Sequence, residues 1–229
     1  MSLRTCVLGV CCALAIAACS TSDDPSGVRE RTPEPAARPA PAARGHIVFL
    51  GDSLTAGLGL KREDSFPALI QQKLNARAYP FDVVNAGVSG DTSAGGLRRL
   101  DWALDGEARI LVVALGANDG LRGLSVGDMK QNLSTIIERA QRRGVTVLLC
   151  GMEAPPNFGL VFTRQYRLAF RDLADTYDVA FIPFLLDGVA GIPALNQSDG
   201  IHPNAEGARR VADLVWSSLE PLVKVASAS

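Results

Sequence analysis

The sequence predicts an α/β fold built on a parallel sheet, and three observations carry that expectation. From Gly45 onward, short apolar runs alternate with stretches of helical period. The first run, Ile47-Val-Phe-Leu50, is apolar without polar alternation, which suits a strand buried on both faces. The first three runs end in loops rich in Gly, Asn or Ser, where open α/β sheets place their ligands.

Five strands are expected at His46–Leu50, Asp82–Asn85, Arg109–Leu115, Val145–Cys150 and Val179–Pro183. After the first, Ser65 can cap a helix with Pro67 in its first turn and Phe66, Leu69, Ile70 and Leu74 on one face. Thr92–Leu104 is a weaker helix, because Gly95 and Gly96 lower its propensity. Ser125-Val-Gly-Asp128 opens a helix in which Met129, Leu133, Ile136, Ile137 and Ala140 recur at a spacing of 3.6, and Arg142, Arg143 and Gly144 end it. Thr163–Asp178 turns Tyr166, Phe170, Leu173, Ala174 and Tyr177 inward, and a last helix does the same with Ala208, Val211, Ala212, Val215 and Leu219. Trp102 and Trp216 read as packing residues.

At 229 residues, with 47% hydrophobic and 21% charged residues, the chain suits one domain. A net charge of −1 and a body free of Lys/Arg blocks exclude a nucleic-acid partner. Residues 1–18 read as a signal peptide, with Arg4 as the positive start and Val7–Ala18 as an apolar run too short to span a bilayer. Its end, Ile16-Ala-Ala-Cys19, resembles the bacterial lipobox, which implies lipidation at Cys19 and a membrane anchor; Ser20 resembles residues that permit sorting to the outer membrane. Residues 19–44 carry five prolines and no apolar period, so they read as a disordered tether able to reach about 80 Å at ~3.1 Å per residue. The folded domain is expected over 45–223 and a flexible tail over 224–229. Only Cys150 remains in the body; it closes an apolar run and reads as a buried structural thiol.

The chain has two histidines. His46 begins the first strand, at the opposite end of the sheet from Ser53. His202, in Ser198-Asp199-Gly-Ile-His202-Pro203, is therefore the general-base candidate, and Asp199 can fold back in that turn to accept its Nδ1 proton. Ser53, delivered by Gly51-Asp-Ser53, is the nucleophile candidate. A serine hydroxyl needs such a base, and the base needs an orienting carboxylate. Attack on a carbonyl also needs donors for the oxyanion, usually worth about 10² to 10³ in rate each. Two loops after strands can supply them: Asn85-Ala-Gly87, where glycine lets a backbone N–H approach closely, and Gly116-Ala-Asn118, which offers a side-chain amide. Other motifs fit less well. Gly51-x-Ser53 lacks the second glycine of a Gly-x-Ser-x-Gly elbow, and neither a dinucleotide fingerprint nor a P-loop is formed.

Gly51-Asp-Ser-Leu54, Asn85-x-Gly87, Gly116-x-Asn118-Asp119 and Asp199-x-x-His202-Pro203 resemble the four ordered blocks of the SGNH, or GDSL, hydrolases. Ser89-Gly-Asp-Thr92, Asn118-Asp-Gly-Leu-Arg-Gly123 and Asp199-Gly-Ile-His-Pro-Asn204 look like the thioesterase I/lysophospholipase/arylesterase branch. The resemblance implies a three-layer, flavodoxin-like αβα sandwich with strand order 2-1-3-4-5. It implies Ser53, Asp199 and His202 as catalytic residues, an oxyanion hole of Ser53 N–H, Gly87 N–H and the Asn118 amide, and no metal or cofactor. The substrate implied is a small acyl ester or lipid. Phe158, Leu160, Val161 and Phe162, in the loop 152–162, are the candidate acyl-chain wall. Two alternatives use the same fold: a deacetylase of envelope polysaccharide and a non-catalytic lipid-binding lipoprotein. The lipobox resemblance implies a place in the bacterial envelope, anchored in the outer membrane and facing the periplasm.

Overall fold

The computed structural model describes residues 44–228. The expected signal peptide, Cys19 and the tether through residue 43 lie outside the described residues.

Five parallel strands, β1 (Gly45–Gly51), β2 (Phe81–Gly87), β3 (Ala108–Ala114), β4 (Thr146–Cys150) and β5 (Ala180–Ile182), form one sheet in the order β2-β1-β3-β4-β5. This is the doubly wound order that the family resemblance implies. Ile47–Leu50 and Ile110–Val113 are essentially without solvent contact. Each such large side chain contributes roughly 1.5–3 kcal/mol by burial. Helices cover both faces, which is why these strands carry no polar alternation.

The helices are α1 (Ser53–Ala56), α2 (Phe66–Ala76), α3 (Ser93–Arg98), α4 (Leu100–Ala103), α5 (Ala117–Leu121), α6 (Val126–Arg142), α7 (Leu160–Tyr177) and α8 (Ala205–Ser227). α2 and α8 pack together in one layer, and α3, α6 and α7 in the other. Right-handed crossovers on either side of β1 require this division. Gly51 of β1 lies level with Gly87 of β2 and Ala114 of β3. The loops after these three strands therefore emerge side by side, at the switch point between β1 and β3.

Four local expectations are corrected. Ser65 precedes α2, but its hydroxyl donates to Arg62 O instead of capping the helix. Thr92 does cap, accepting from Gly95 N–H, yet the helix breaks at Arg99 into α3 and α4. Trp102, on α4, is 71% exposed, whereas Trp216 is buried under Arg77 and beside Tyr79. The expected tail is helical through Ser227, because Val223 is buried and carries α8 past Pro221. Among the described residues no helix is long and apolar enough to cross a membrane.

Candidate active site

β1 ends at Gly51, where the backbone passes so close to α1 that an added Cβ would lie 1.9 Å from Thr55 Oγ1. Asp52 then caps α1: its Oδ1 accepts from Leu54 N–H at 3.0 Å. Ser53 begins the helix, and Gly57, at φ 75°, ends it one turn later. The sharp strand-to-helix turn leaves the Ser53 side chain at the sheet edge.

His202 arrives from the turn before α8. Asp199 Oδ1 accepts from the N–H groups of Ile201 and His202, at 2.9 and 3.0 Å, which folds the turn back on itself. Its other oxygen, Oδ2, lies 2.6 Å from His202 Nδ1. These bonds, the two backbone ones foremost, hold the Asp199 carboxyl down at about 2. An ionised partner at Nδ1 fixes the proton there, so Nε2 is the accepting nitrogen. It lies 2.9 Å from Ser53 Oγ. Gln197 supports this arrangement, although no motif or spacing singled it out. Its Nε2 donates to Leu58 O at 2.7 Å and Pro203 O at 3.0 Å, tying the histidine turn to the segment after α1.

Asn118 lies in the first turn of α5, after Gly116 at φ 110°. Tyr166 O–H donates to Gly116 O at 2.6 Å and fixes the turn from below. The Asn118 amide donates to Asp91 O at 2.9 Å and to Asp52 Oδ2 at 3.3 Å. Arg99 secures Asp91 in turn: Nε meets Asp91 Oδ2 at 2.7 Å, while Nη1 and Nη2 donate to Ala86 O and Gly51 O at 2.6 and 2.8 Å.

Gly87 does not present its N–H to this site. The group donates to Asn85 Oδ1 at 3.0 Å, and Asn85 Nδ2 donates to Thr55 O at 2.8 Å. A Cβ on Gly87 would lie 2.3 Å from Ala56 N. Asn85 and Gly87 thus fasten the end of β2 beneath α1. Three residues on, Gly90 turns at φ 82°, and its N–H meets no acceptor among the described residues. It immediately precedes Asp91, to which Asn118 is bonded. Ser89-Gly-Asp-Thr92 was the stretch of sequence that carried this signal.

The expected acyl wall is also displaced. α7 begins at Leu160, three residues before the expected start, and its first turn leaves Leu160 89% and Val161 72% exposed. Phe158 packs against Phe162, and its ring fills the space where Gly123 would carry a side chain. None of the four lines the main groove at this edge. That groove, about 510 Å³, is walled by Leu54, Leu121, Met152, Ala154, Pro155 and Leu186, among others. Leu54 and Leu186 also border a smaller cavity that is lined by Ser53 and His202.

Two other titratable groups define the surroundings. Burial raises the Cys150 thiol to about 12, so it stays protonated and inert. Burial also raises Asp52 to about 6, against the opposing effects of the Leu54 N–H, the Asn118 amide and His202. A carboxyl held above its ordinary 3.8 favours the fold in its protonated form. Its contribution is full below pH 3.8 and lost as pH rises through about 6. Between about pH 5 and pH 8 the protein should lose roughly 1–2 kcal/mol more stability than Asp52→Asn. Thermal unfolding at the two pH values checks this, and parallel losses in both proteins would contradict it. Asp199 has the opposite sign: its contribution is present above 3.8 and lost only as pH falls towards 2, outside that window.

A model of the GDSL-like lipase/acylhydrolase family matches residues 49–210. Esterase TesA of Pseudomonas aeruginosa is 41% identical over 183 residues, covering 80% of this chain and 91% of that protein. Thioesterase 1/protease 1/lysophospholipase L1 of Escherichia coli K12 is 36% identical over 183 residues, covering 80% and 86%. Among solved structures, the psychrotrophic esterase EstA from Pseudoalteromonas sp., inhibited by monoethylphosphonate, gives a TM-score of 0.75 at 32% identity. That match covers 79% of this chain and 99% of EstA. Since the matched span runs from β1 into α8 and encloses both Ser53 and His202, the chain belongs to the GDSL-like lipase/acylhydrolase family.

Proposed function

We propose that the protein is a serine esterase that cleaves acyl esters through an acyl-enzyme on Ser53. The observation that carries this reading is the continuous chain Ser53 Oγ, His202 and Asp199, with contacts of 2.9 and 2.6 Å, beside an apolar groove. Ser53 O–H gives its proton to His202 Nε2 as Oγ bonds to the ester carbon. The negative oxygen is held by the Ser53 N–H, the Asn118 amide and, in place of Gly87, the Gly90 N–H. His202 then passes the proton to the leaving oxygen, the C–O bond breaks, and water repeats the sequence on the acyl-enzyme. Asp199 keeps the imidazolium charge paired throughout.

The named relatives act as esterase or as thioesterase and lysophospholipase, which supports an amphiphilic acyl ester over an acetylated polysaccharide. A p-nitrophenyl ester series from acetyl to palmitoyl tests the choice: a preference for longer chains is expected, and activity confined to acetyl would favour the deacetylase. Covalent labelling by a fluorophosphonate, lost in Ser53→Ala, separates either enzyme from a non-catalytic lipid binder.

The groove gives a sharper expectation. Ala154→Trp should fill part of it and lower kcat/KM for an octanoyl or longer ester by roughly tenfold, leaving the acetyl ester within about twofold, since lost apolar contacts act through binding. Leu160→Asp should change neither, because that side chain projects into solvent. The reverse pattern would restore the wall to residues 158–162.

The proposed location is the bacterial envelope, through lipidation at Cys19. Support comes from the sequence around that residue, where acyl chains at about 0.8 kcal/mol per buried CH₂ would hold the protein permanently. Cys19→Ser should move the protein from the membrane fraction to the soluble fraction. Retention of that variant on membranes would count against the anchor.

A further inference from the structure

The Asp52 carboxyl is 1% exposed, yet it lies next in sequence to the nucleophile. Its role as helix cap does not account for a carboxylate there. Asn and Ser cap as well as Asp, and neither has an ionisable group to desolvate. What distinguishes Asp52 is its second oxygen, Oδ2, which lies 3.3 Å from Asn118 Nδ2 across the mouth between β1 and β3.

We infer that Asp52 is a positioning residue, whose Oδ2 orients the Asn118 amide so that one N–H faces the oxyanion formed on Ser53. The inference rests on the reading of Asn118 as an oxyanion donor and adds what sets that amide's direction. A primary amide has two hydrogens, and its χ2 is broadly distributed unless hydrogen bonds narrow it. The Asn118 amide has two anchors. Asp91 O takes one hydrogen at 2.9 Å, and Arg99 fixes Asp91 through its side chain. Asp52 Oδ2 takes the other at 3.3 Å, while Leu54 N–H fixes Asp52 through Oδ1 at 3.0 Å. The two bonds are unequal, and the longer one goes to Asp52, the residue before Ser53. An oxygen gaining negative charge on the Ser53 adduct shares that hydrogen with Oδ2 in a three-centre bond, and the shorter bond keeps the amide plane in place meanwhile. The benefit therefore falls on the transition state and not on substrate binding.

The test is a double-mutant cycle on a soluble ester, p-nitrophenyl butyrate, with kcat and KM measured separately. Asp52→Asn keeps its one oxygen for Leu54 N–H and so places an NH₂, a donor, before the Asn118 amide. Asp52→Ser caps α1 and is too short to reach Asn118. Both should lower kcat by about tenfold or more with KM within about twofold, and both should stay folded by thermal unfolding. In the Asn118→Ala background either substitution should cost less than about twofold, because nothing is left to orient. The positioning role is overturned if either variant keeps the wild-type kcat, or if its full loss reappears in the Asn118→Ala background; the latter would assign Asp52 to the Ser53 turn alone. A wild-type rate in Asn118→Ala itself would instead remove the oxyanion reading, and the positioning role with it.

Discussion

Replacing Ser53 by alanine is expected to lower kcat for ester hydrolysis by roughly 10⁴-fold or more while the protein stays folded. The hydroxyl is the atom that forms the acyl bond, and His202 Nε2, 2.9 Å away, is its hydrogen-bond partner. Cys150, the one cysteine among the described residues, cannot take over, being fully buried with its thiol raised to about 12. Alanine keeps the helical start of α1 and the Asp52 cap, so the unfolding temperature should change little. Steady-state hydrolysis of a short aryl ester, with thermal unfolding in parallel, gives both readings. Activity of the folded variant within tenfold of wild type would remove Ser53 from the mechanism.

Asn118→Ala should lower kcat by about 10² to 10³ with KM nearly unchanged, the usual consequence of losing one oxyanion donor. The substitution also removes the bonds to Asp91 O and Asp52 Oδ2. Net losses of about 1 kcal/mol per hydrogen bond are too small to unfold a domain of this size. A rate defect accompanied by normal unfolding is therefore a catalytic effect. If kcat remained near wild type, Asn118 would be a turn residue that ties α5 to the β2 loop.

The strands were legible because each is a short apolar run buried between two helical layers, and Ile47–Leu50 left no polar alternative. The Ser53, Asp199 and His202 group was legible for a different reason. The nucleophile lies in a short strand-to-helix turn, and the Asp199 turn is closed by bonds within three residues. Locally determined geometry of this kind is visible in sequence.

Apart from the Ser53–His202 contact, which the chemistry of the two residue types suggested, contacts between segments were not. Gly87 and Gly90 lie in one short loop, and sequence cannot say which N–H is taken by Asn85 and which is left free. Phe158, Leu160, Val161 and Phe162 form an apolar cluster in sequence. The early start of α7 turns Leu160 and Val161 to solvent, and Phe158 goes to Gly123. Trp102 ended up exposed although large apolar side chains are usually buried, because α4 is a single turn whose inward positions are taken by Leu100 and Ala103.

By itself, then, the sequence determined the α/β class, the five strands, the serine and the histidine with its aspartate, because each depends on residue type and on spacing within one element or turn. The tertiary structure alone decided which atoms face one another across elements: Asp52 and Asn118 across the gap between β1 and β3, Gln197 across to Leu58, and a groove walled by Ala154 and Leu186. The physical reason is that these contacts follow from the register that sets Gly51, Gly87 and Ala114 level, and register is a property of the packed sheet and not of any one segment.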